Sequence, residues 1–154
     1  MNLALLSILT LAAAPVQDEA PSARVQFAKS TVKPGEKVKA TLTLAFAPGL
    51  HGYQNPPSED FQIPVTVKVV EKGFTLIKAT YPAGVDFTMA GETKPARVYE
   101  GTITIPLELR AAAKAGTYNV AVRVDYQQCN ENSCFPPGSV TTKAKLTVAK
   151  KGKA

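Results

Sequence analysis

The sequence predicts an all-β domain built from two packed sheets. From Arg24 onward, short runs rich in Val, Ile, Thr, Leu and Phe are separated by Pro and Gly at the spacing of strands and turns. Within several runs apolar and polar residues alternate, as half-buried strands require. A hydrophobic share of 45% against 19% charged, over 154 residues, suits one domain with one core and argues against disorder.

Seven strands are expected in order, over 23–28, 37–46, 65–70, 74–81, 99–109, 116–127 and 140–148. In the second, Val38, Ala40, Leu42 and Leu44 share one face while Lys39, Thr41 and Thr43 take the other. In the fifth, Ile103, Ile105 and Leu107 oppose Thr102, Thr104 and Pro106, and in the sixth Val120, Val122 and Val124 repeat the pattern. The remaining four are rich in β-branched and aromatic residues and flanked by Pro or Gly. Residues 109–115 are the only helix-like stretch of the domain, cut short by Gly116. Seven strands with turns about every ten residues imply an immunoglobulin-like β-sandwich. In antibody domains two distant cysteines join the sheets across a buried Trp, whereas this chain has no Trp and its two cysteines are neighbours. The cysteine pair is therefore not the pin between the sheets.

Ahead of the strands, residues 3–14 form an apolar run that Pro15, Gln17, Asp18 and Glu19 end abruptly. This reads as a signal peptide within residues 1–20, and hence as an exported, periplasmic or secreted chain. The run is shorter than the roughly 20 apolar residues of a membrane span, so no stable membrane anchor is expected. The domain proper is assigned to 21–149 and a basic tail to 150–154. The formal net charge is +6, and +8 without the first twenty residues, which carry Asp18 and Glu19 but no Lys or Arg. The lysines are scattered along strand-like segments, which points to solvated strand faces and away from nucleic acid as a partner.

Three segments can carry chemistry. In Tyr126-Gln127-Gln128-Cys129-Asn130-Glu131-Asn132-Ser133-Cys134-Phe135-Pro136-Pro137, the only two cysteines face each other across a polar loop at the end of a strand. An even cysteine count in an exported chain favours a disulfide. As a staple the bond is weak, because a ring of about six residues stabilises by about 2 kcal/mol against nearly 5 for a ring of about a hundred. Such a ring suits a bond that opens and closes; the plainer reading is a clip that stiffens the loop. A metal site lacks ligands, since zinc takes three or four and the chain offers two cysteines and one histidine, His51, while a copper(I) site has no Met cluster to support it. A hydrolase built on Cys134 and His51 would need an oxyanion hole and an orienting residue that the sequence does not display. No nucleotide, haem or flavin motif is present, so no cofactor is expected.

The second segment, 48–57, holds His51 and Tyr53 two apart on an extended stretch, where both can face one site; alternatively Tyr53 packs at the sandwich edge and His51 lies on the surface. The third, 81–92, is a long connection of the kind that forms lids. Its Phe87 or Met89 either covers a reactive sulfur or plugs the end of the core.

These segments together resemble the N-terminal periplasmic domain of the thiol:disulfide interchange protein DsbD. The resemblance covers nearly all of the chain after its leader. It rests on Tyr-Gln-x-Cys-Asn at 126–130, Cys-Phe-Pro-Pro at 134–137, Gly-Leu-His-Gly-Tyr-Gln-Asn-Pro at 49–56, Tyr-Pro-x-Gly at 81–84 and Tyr-Glu-Gly at 99–101. It implies a redox pair, Cys129 and Cys134, that relays electrons by protein-disulfide reductase-type exchange. The implied partners are thioredoxin-like exported proteins, including those of cytochrome maturation, or a membrane thiol reductase. It further implies that Cys134 forms the mixed disulfide and Cys129 resolves it, that His51, Tyr53 and Tyr126 line the site, and that a shielding cap falls near Phe87, with Met89 as its rival. The family's familiar members place one more residue between the cysteines. Without transmembrane segments or a thioredoxin-like domain after Val148, the expectation is a relay module standing alone; the competing expectation is a non-catalytic interaction module with a structural disulfide.

Overall fold

A computed structural model describes residues 19–150. The leader expected over 1–20 lies, apart from Glu19 and Ala20, outside the described residues, as does the tail beyond Lys150. The described chain is all-β. Its strands are β1 (Ser22–Phe27), β2 (Thr31–Val32), β3 (Lys37–Ala45), β4 (His51–Tyr53), β5 (Thr66–Val69), β6 (Thr75–Ala79), β7 (Val85–Phe87), β8 (Ala96–Glu100), β9 (Thr102–Arg110), β10 (Gly116–Tyr126), β11 (Gln128–Cys129) and β12 (Gly138–Val148).

Two four-stranded sheets, ordered β1-β3-β9-β6 and β2-β12-β10-β5, form the immunoglobulin-like sandwich. Alternation decides what fills it. Val38, Ala40, Leu42 and Leu44 of β3 meet Ile105, Leu107 and Leu109 of β9 and Val120, Val122 and Val124 of β10 in one buried cluster, while Lys39 and Thr41 face solvent. Leu42, Leu44, Ile105, Leu109, Val120, Val122 and Val124 are wholly inaccessible. Exposed ion pairs such as Lys37 with Glu108 and Lys68 with Asp125 each add little.

The helix-like stretch at 109–115 forms no helix. Leu109 and Arg110 finish β9, and Ala111 instead donates its N–H to the Glu36 carbonyl at 2.9 Å while Ala111 and Ala112 pack into the core. Burial of these small side chains against the neighbouring turn outweighs the helix propensity of an alanine run too short to nucleate.

A third sheet, ordered β11-β4-β8-β7, sits at one end of the sandwich and is assembled from extensions of its strands. The long strand expected over 99–109 breaks at Gly101, whose φ of 57° turns β8 out of line with β9. β11 prolongs β10 beyond Gln127, and β4 follows β3 through a turn in which Leu50 N–H donates to Ala47 O at 3.0 Å. The Phe46 N–H bonds to Gly101 O at 2.9 Å and holds the two departures together.

The core assignment predicts that Leu42→Ala destabilises by about 2–5 kcal/mol in urea unfolding, whereas Thr41→Ala on the opposite face shifts stability by no more than about 0.5 kcal/mol.

Candidate functional site

The cysteine loop is a closed hairpin at the edge of the third sheet. Gln128 and Cys129 of β11 pair with Gly52 and His51 of β4, and Cys129 bridges back to Cys134. The turn is shaped by Asn130, whose side-chain oxygen accepts the N–H groups of Asn132 at 2.9 Å and Ser133 at 2.8 Å. Asn130 N–H donates to Ser133 O at 2.9 Å and Phe135 N–H to Gln128 O at 2.8 Å. Cys129 and Cys134 are joined in a disulfide with their Cα atoms 3.9 Å apart.

The two sulfur-bearing residues differ in environment. Cys129 is 0% exposed, packed with Tyr53, Val98, Phe87 and Ala96 in a small core of its own, whereas Cys134 is exposed. β4 can lie this close because Gly52 has no side chain: a Cβ there would stand 2.8 Å from Cζ of the Phe46 ring. With Gly52 facing Phe46, His51 and Tyr53 project together from the other side of the strand.

Tyr53 reaches the disulfide. Its hydroxyl lies 3.6 Å from Cys134 Sγ and 3.9 Å from Met89 Sδ. A disulfide sulfur has no hydrogen, so the hydroxyl is the donor. Burial, and then the Glu92 carboxylate, hold the Tyr53 pKa above its ordinary value, which keeps that proton in place. His51 stands opposite Cys129 on one side and Glu100 on the other, and its ring meets that of Phe87 with centroids 4.2 Å apart. Only 2% of His51 is exposed, and its buried Nε2 has no hydrogen-bond partner among the described residues.

Residues 85–90 pass over this arrangement. β7 pairs with β8, and beyond it the Ala90 N–H donates to Glu131 O at 2.9 Å, tying the connection to the cysteine loop. Phe87 packs on the His51 ring and against the small core that holds Cys129, and Met89 Sδ stands at the Tyr53 hydroxyl, which also reaches Cys134. On the His51 side opens a cleft of about 880 Å³ bordered by Glu100, Glu131 and Asn130, with no Lys or Arg in its lining. No His/Cys/Asp/Glu cluster able to hold a metal occurs among the described residues.

Tyr126 sits apart. It shares the inward face of β10 with Val122 and Val124, joins the main core, and lays its ring over its ladder partner Gly138. The two-residue period turns it toward the sandwich core. Gln128 went unforeseen at sequence level: it is fully buried, and its amide donates to the Glu19 carbonyl at 3.1 Å. Asn130 had a legible signal, an Asn directly after a cysteine at a turn.

The family model described as thiol:disulfide interchange protein DsbD, N-terminal, matches residues 17–146. The chain belongs to the DsbD N-terminal family. Among solved structures, the N-terminal periplasmic domain of ScsB from Proteus mirabilis superposes with a TM-score of 0.55 at 19% identity, over 88% of this chain and 48% of that one. The family fold is thus shared, and the DsbD-type chain spans about half the length of the ScsB domain it matches. A PapD-like domain of human CEP192 aligns over 97% of this chain and all of that one at 12% identity, with a TM-score of 0.37, too low to bear on the fold. No curated protein matches the chain at a significant level. Among the described residues no helix is long and apolar enough to cross a membrane.

The burial of His51 yields a pH prediction. Desolvation lowers its pKa from the ordinary 6.5, with the Glu100 carboxylate opposing in part. The unfolded chain therefore takes up the proton first as the pH falls. The stability that neutral His51 contributes is complete above the unfolded value and is lost as the pH drops from there through the lowered one. The thermal midpoint of the wild type is expected to decline from about pH 7.5 to about 5.5 more steeply than that of His51→Phe, which keeps a ring against Phe87. Parallel declines would show that another group titrates.

Proposed function

We propose that this domain exchanges disulfides with exported partner proteins through Cys129 and Cys134. The observation that carries the proposal is the asymmetry of the ring: one cysteine sealed in a small core, the other open to a visiting chain. Membership of the DsbD N-terminal family supports the same chemistry, and the leader expected over residues 1–20 and the periplasmic ScsB relative support an exported location.

In the reduced domain the Cys134 thiolate attacks a partner disulfide; one partner sulfur leaves as a thiolate, and a mixed disulfide forms through Cys134. Cys129, deprotonated, then attacks Cys134 Sγ, the mixed bond breaks, and the second partner sulfur departs. Two electrons have passed to the partner, which is now a dithiol, and the domain holds the Cys129–Cys134 bond. Reversing the two steps with a dithiol donor reloads the domain. The Tyr53 hydroxyl is placed to donate to the Cys134 thiolate, lowering the cost of that charge. Its dry pocket keeps Cys129 from foreign disulfides until Cys134 has been engaged. Met89, at the Tyr53 hydroxyl that also reaches Cys134, flanks the approach to the exposed sulfur, and Phe87 packs on His51 behind it. Thioredoxin-like exported proteins, those of cytochrome maturation among them, and a membrane thiol reductase are the partner classes this chemistry serves.

Titration against glutathione is expected to open and close the bond reversibly; a bond that stays closed below about −300 mV belongs to a structural clip. Cys129→Ser is expected to accumulate mixed disulfides through Cys134, detected by non-reducing electrophoresis and mass spectrometry. If only Cys134→Ser accumulates them, the two roles are reversed. Met89→Ala should raise the rate of Cys134–Cys129 reduction by dithiothreitol severalfold while Phe87→Ala changes it less; the opposite order would make Phe87 the shield.

A further inference from the structure

We infer that the segment after β4 is a docking surface, anchored by Phe61, for the stretch of partner polypeptide that flanks the partner's reactive cysteine. The inference rests on the exchange reading above and adds the surface that would select the partner.

Phe61 is 80% exposed, more than any other large hydrophobic side chain described. Folding gains nothing from an aromatic left in water, and Ile63 beside it is also exposed. The aromatic is nevertheless held in a built turn. The buried side chain of Gln62 accepts the N–H groups of Ser58 at 3.0 Å and Glu59 at 3.2 Å, and Gln62 N–H donates to Glu59 O at 3.1 Å. The Ser58 hydroxyl accepts the Arg97 N–H of β8 at 2.9 Å, and the Asn55 amide donates to Val65 O at 2.9 Å. A side chain turned inward from this loop, Gln62, thus organises it, while the apolar one points out.

The position of Phe61 gives the exposure a purpose. It borders a groove of about 210 Å³ shared with Met89, Tyr53 and Phe87. Tyr53, which lines the groove, also carries the hydroxyl that lies 3.6 Å from Cys134 Sγ, so one wall of the groove stands beside the exchangeable sulfur. A polypeptide that brings its own sulfur to Cys134 lies at the Tyr53 and Met89 end, and a few extended residues more carry it along the groove to Phe61. The rim carries both signs, Glu59 and Glu92 with Lys94, so it presents no uniform field that would select a strongly charged segment. The fitting occupant is an extended segment with apolar side chains beside its cysteine, for which an exposed aromatic is a natural anchor.

Two peptide probes test this, each with a central cysteine carried as its glutathione mixed disulfide, one flanked on both sides by Leu and Val alternating with Thr, the other by Ser. Reduced wild-type domain is expected to react with the apolar probe at least about tenfold faster than with the serine probe. Phe61→Ser should bring the two rates within about twofold of each other while leaving the rate with glutathione disulfide, and the thermal midpoint, unchanged. A wild-type domain that does not distinguish the probes overturns the inference, as does a preference that survives Phe61→Ser. A wild-type dimer by sedimentation that Phe61→Ser dissociates would assign the patch to a second copy of this chain, also overturning it. Failure of the wild type to react even with glutathione disulfide is a separate result, which removes the exchange reading and the inference together.

Discussion

Two backbone ladder pairs, Gln128 with Gly52 and Cys129 with His51, hold the cysteine ring to the body of the protein. Without them the ring would be a loop tip hanging from β10, with both sulfurs equally wet. With them, one cysteine is drawn under Tyr53 and Val98 while the other is left at the rim. A hairpin this small cannot seal one of its own ends, so the seal must come from a neighbouring strand. That strand in turn depends on Gly52, whose missing Cβ makes room for Phe46 to tie the third sheet to the sandwich core.

The same pairing explains why the site is polar at its edge and dry at its centre. Asn130 satisfies the turn's N–H groups from its own side chain, so the loop needs little help from solvent to keep its shape. Tyr53 presents an apolar ring to Cys129 and a hydroxyl to Cys134, serving both environments with one side chain. The connection carrying Phe87 and Met89 is pinned at both ends, by β7 pairing with β8 and by the Ala90 to Glu131 bond. The Ala90 to Glu131 bond ties this connection to the cysteine loop. The bond to Glu131 is a single contact at the surface, of the kind that opens at low cost relative to the sandwich itself.

Much of this was legible beforehand, for identifiable reasons. The long strands β3, β9 and β10 announce themselves because each shows several turns of apolar and polar alternation, a local property that burial on one face demands. The cysteine segment and the Gly-Leu-His-Gly-Tyr stretch were visible as motifs, and the structure does bring His51 and Tyr53 to the disulfide. Tyr126, whose parity along β10 turns it inward, joins the sandwich core. The alanine-rich run at 109–115 has helix composition and no helix, because the turn beside Glu36 gave its backbone and methyl groups better partners.

What the sequence by itself determined is whatever repeats within one strand or is written in neighbouring residues: the all-β class, the paired cysteines, the polar ring between them. Only the tertiary structure decided the rest. Strands of two or three residues such as β4, β7 and β11 carry no period to read and exist because distant backbone groups complete their hydrogen bonds. The unequal burial of two cysteines five positions apart, the places of Phe87 against His51 and of Met89 at Tyr53, and the outward turn of Phe61 all arise from contacts between residues far apart in the chain. Exposure is a property of what surrounds a side chain, and composition alone does not contain the surroundings.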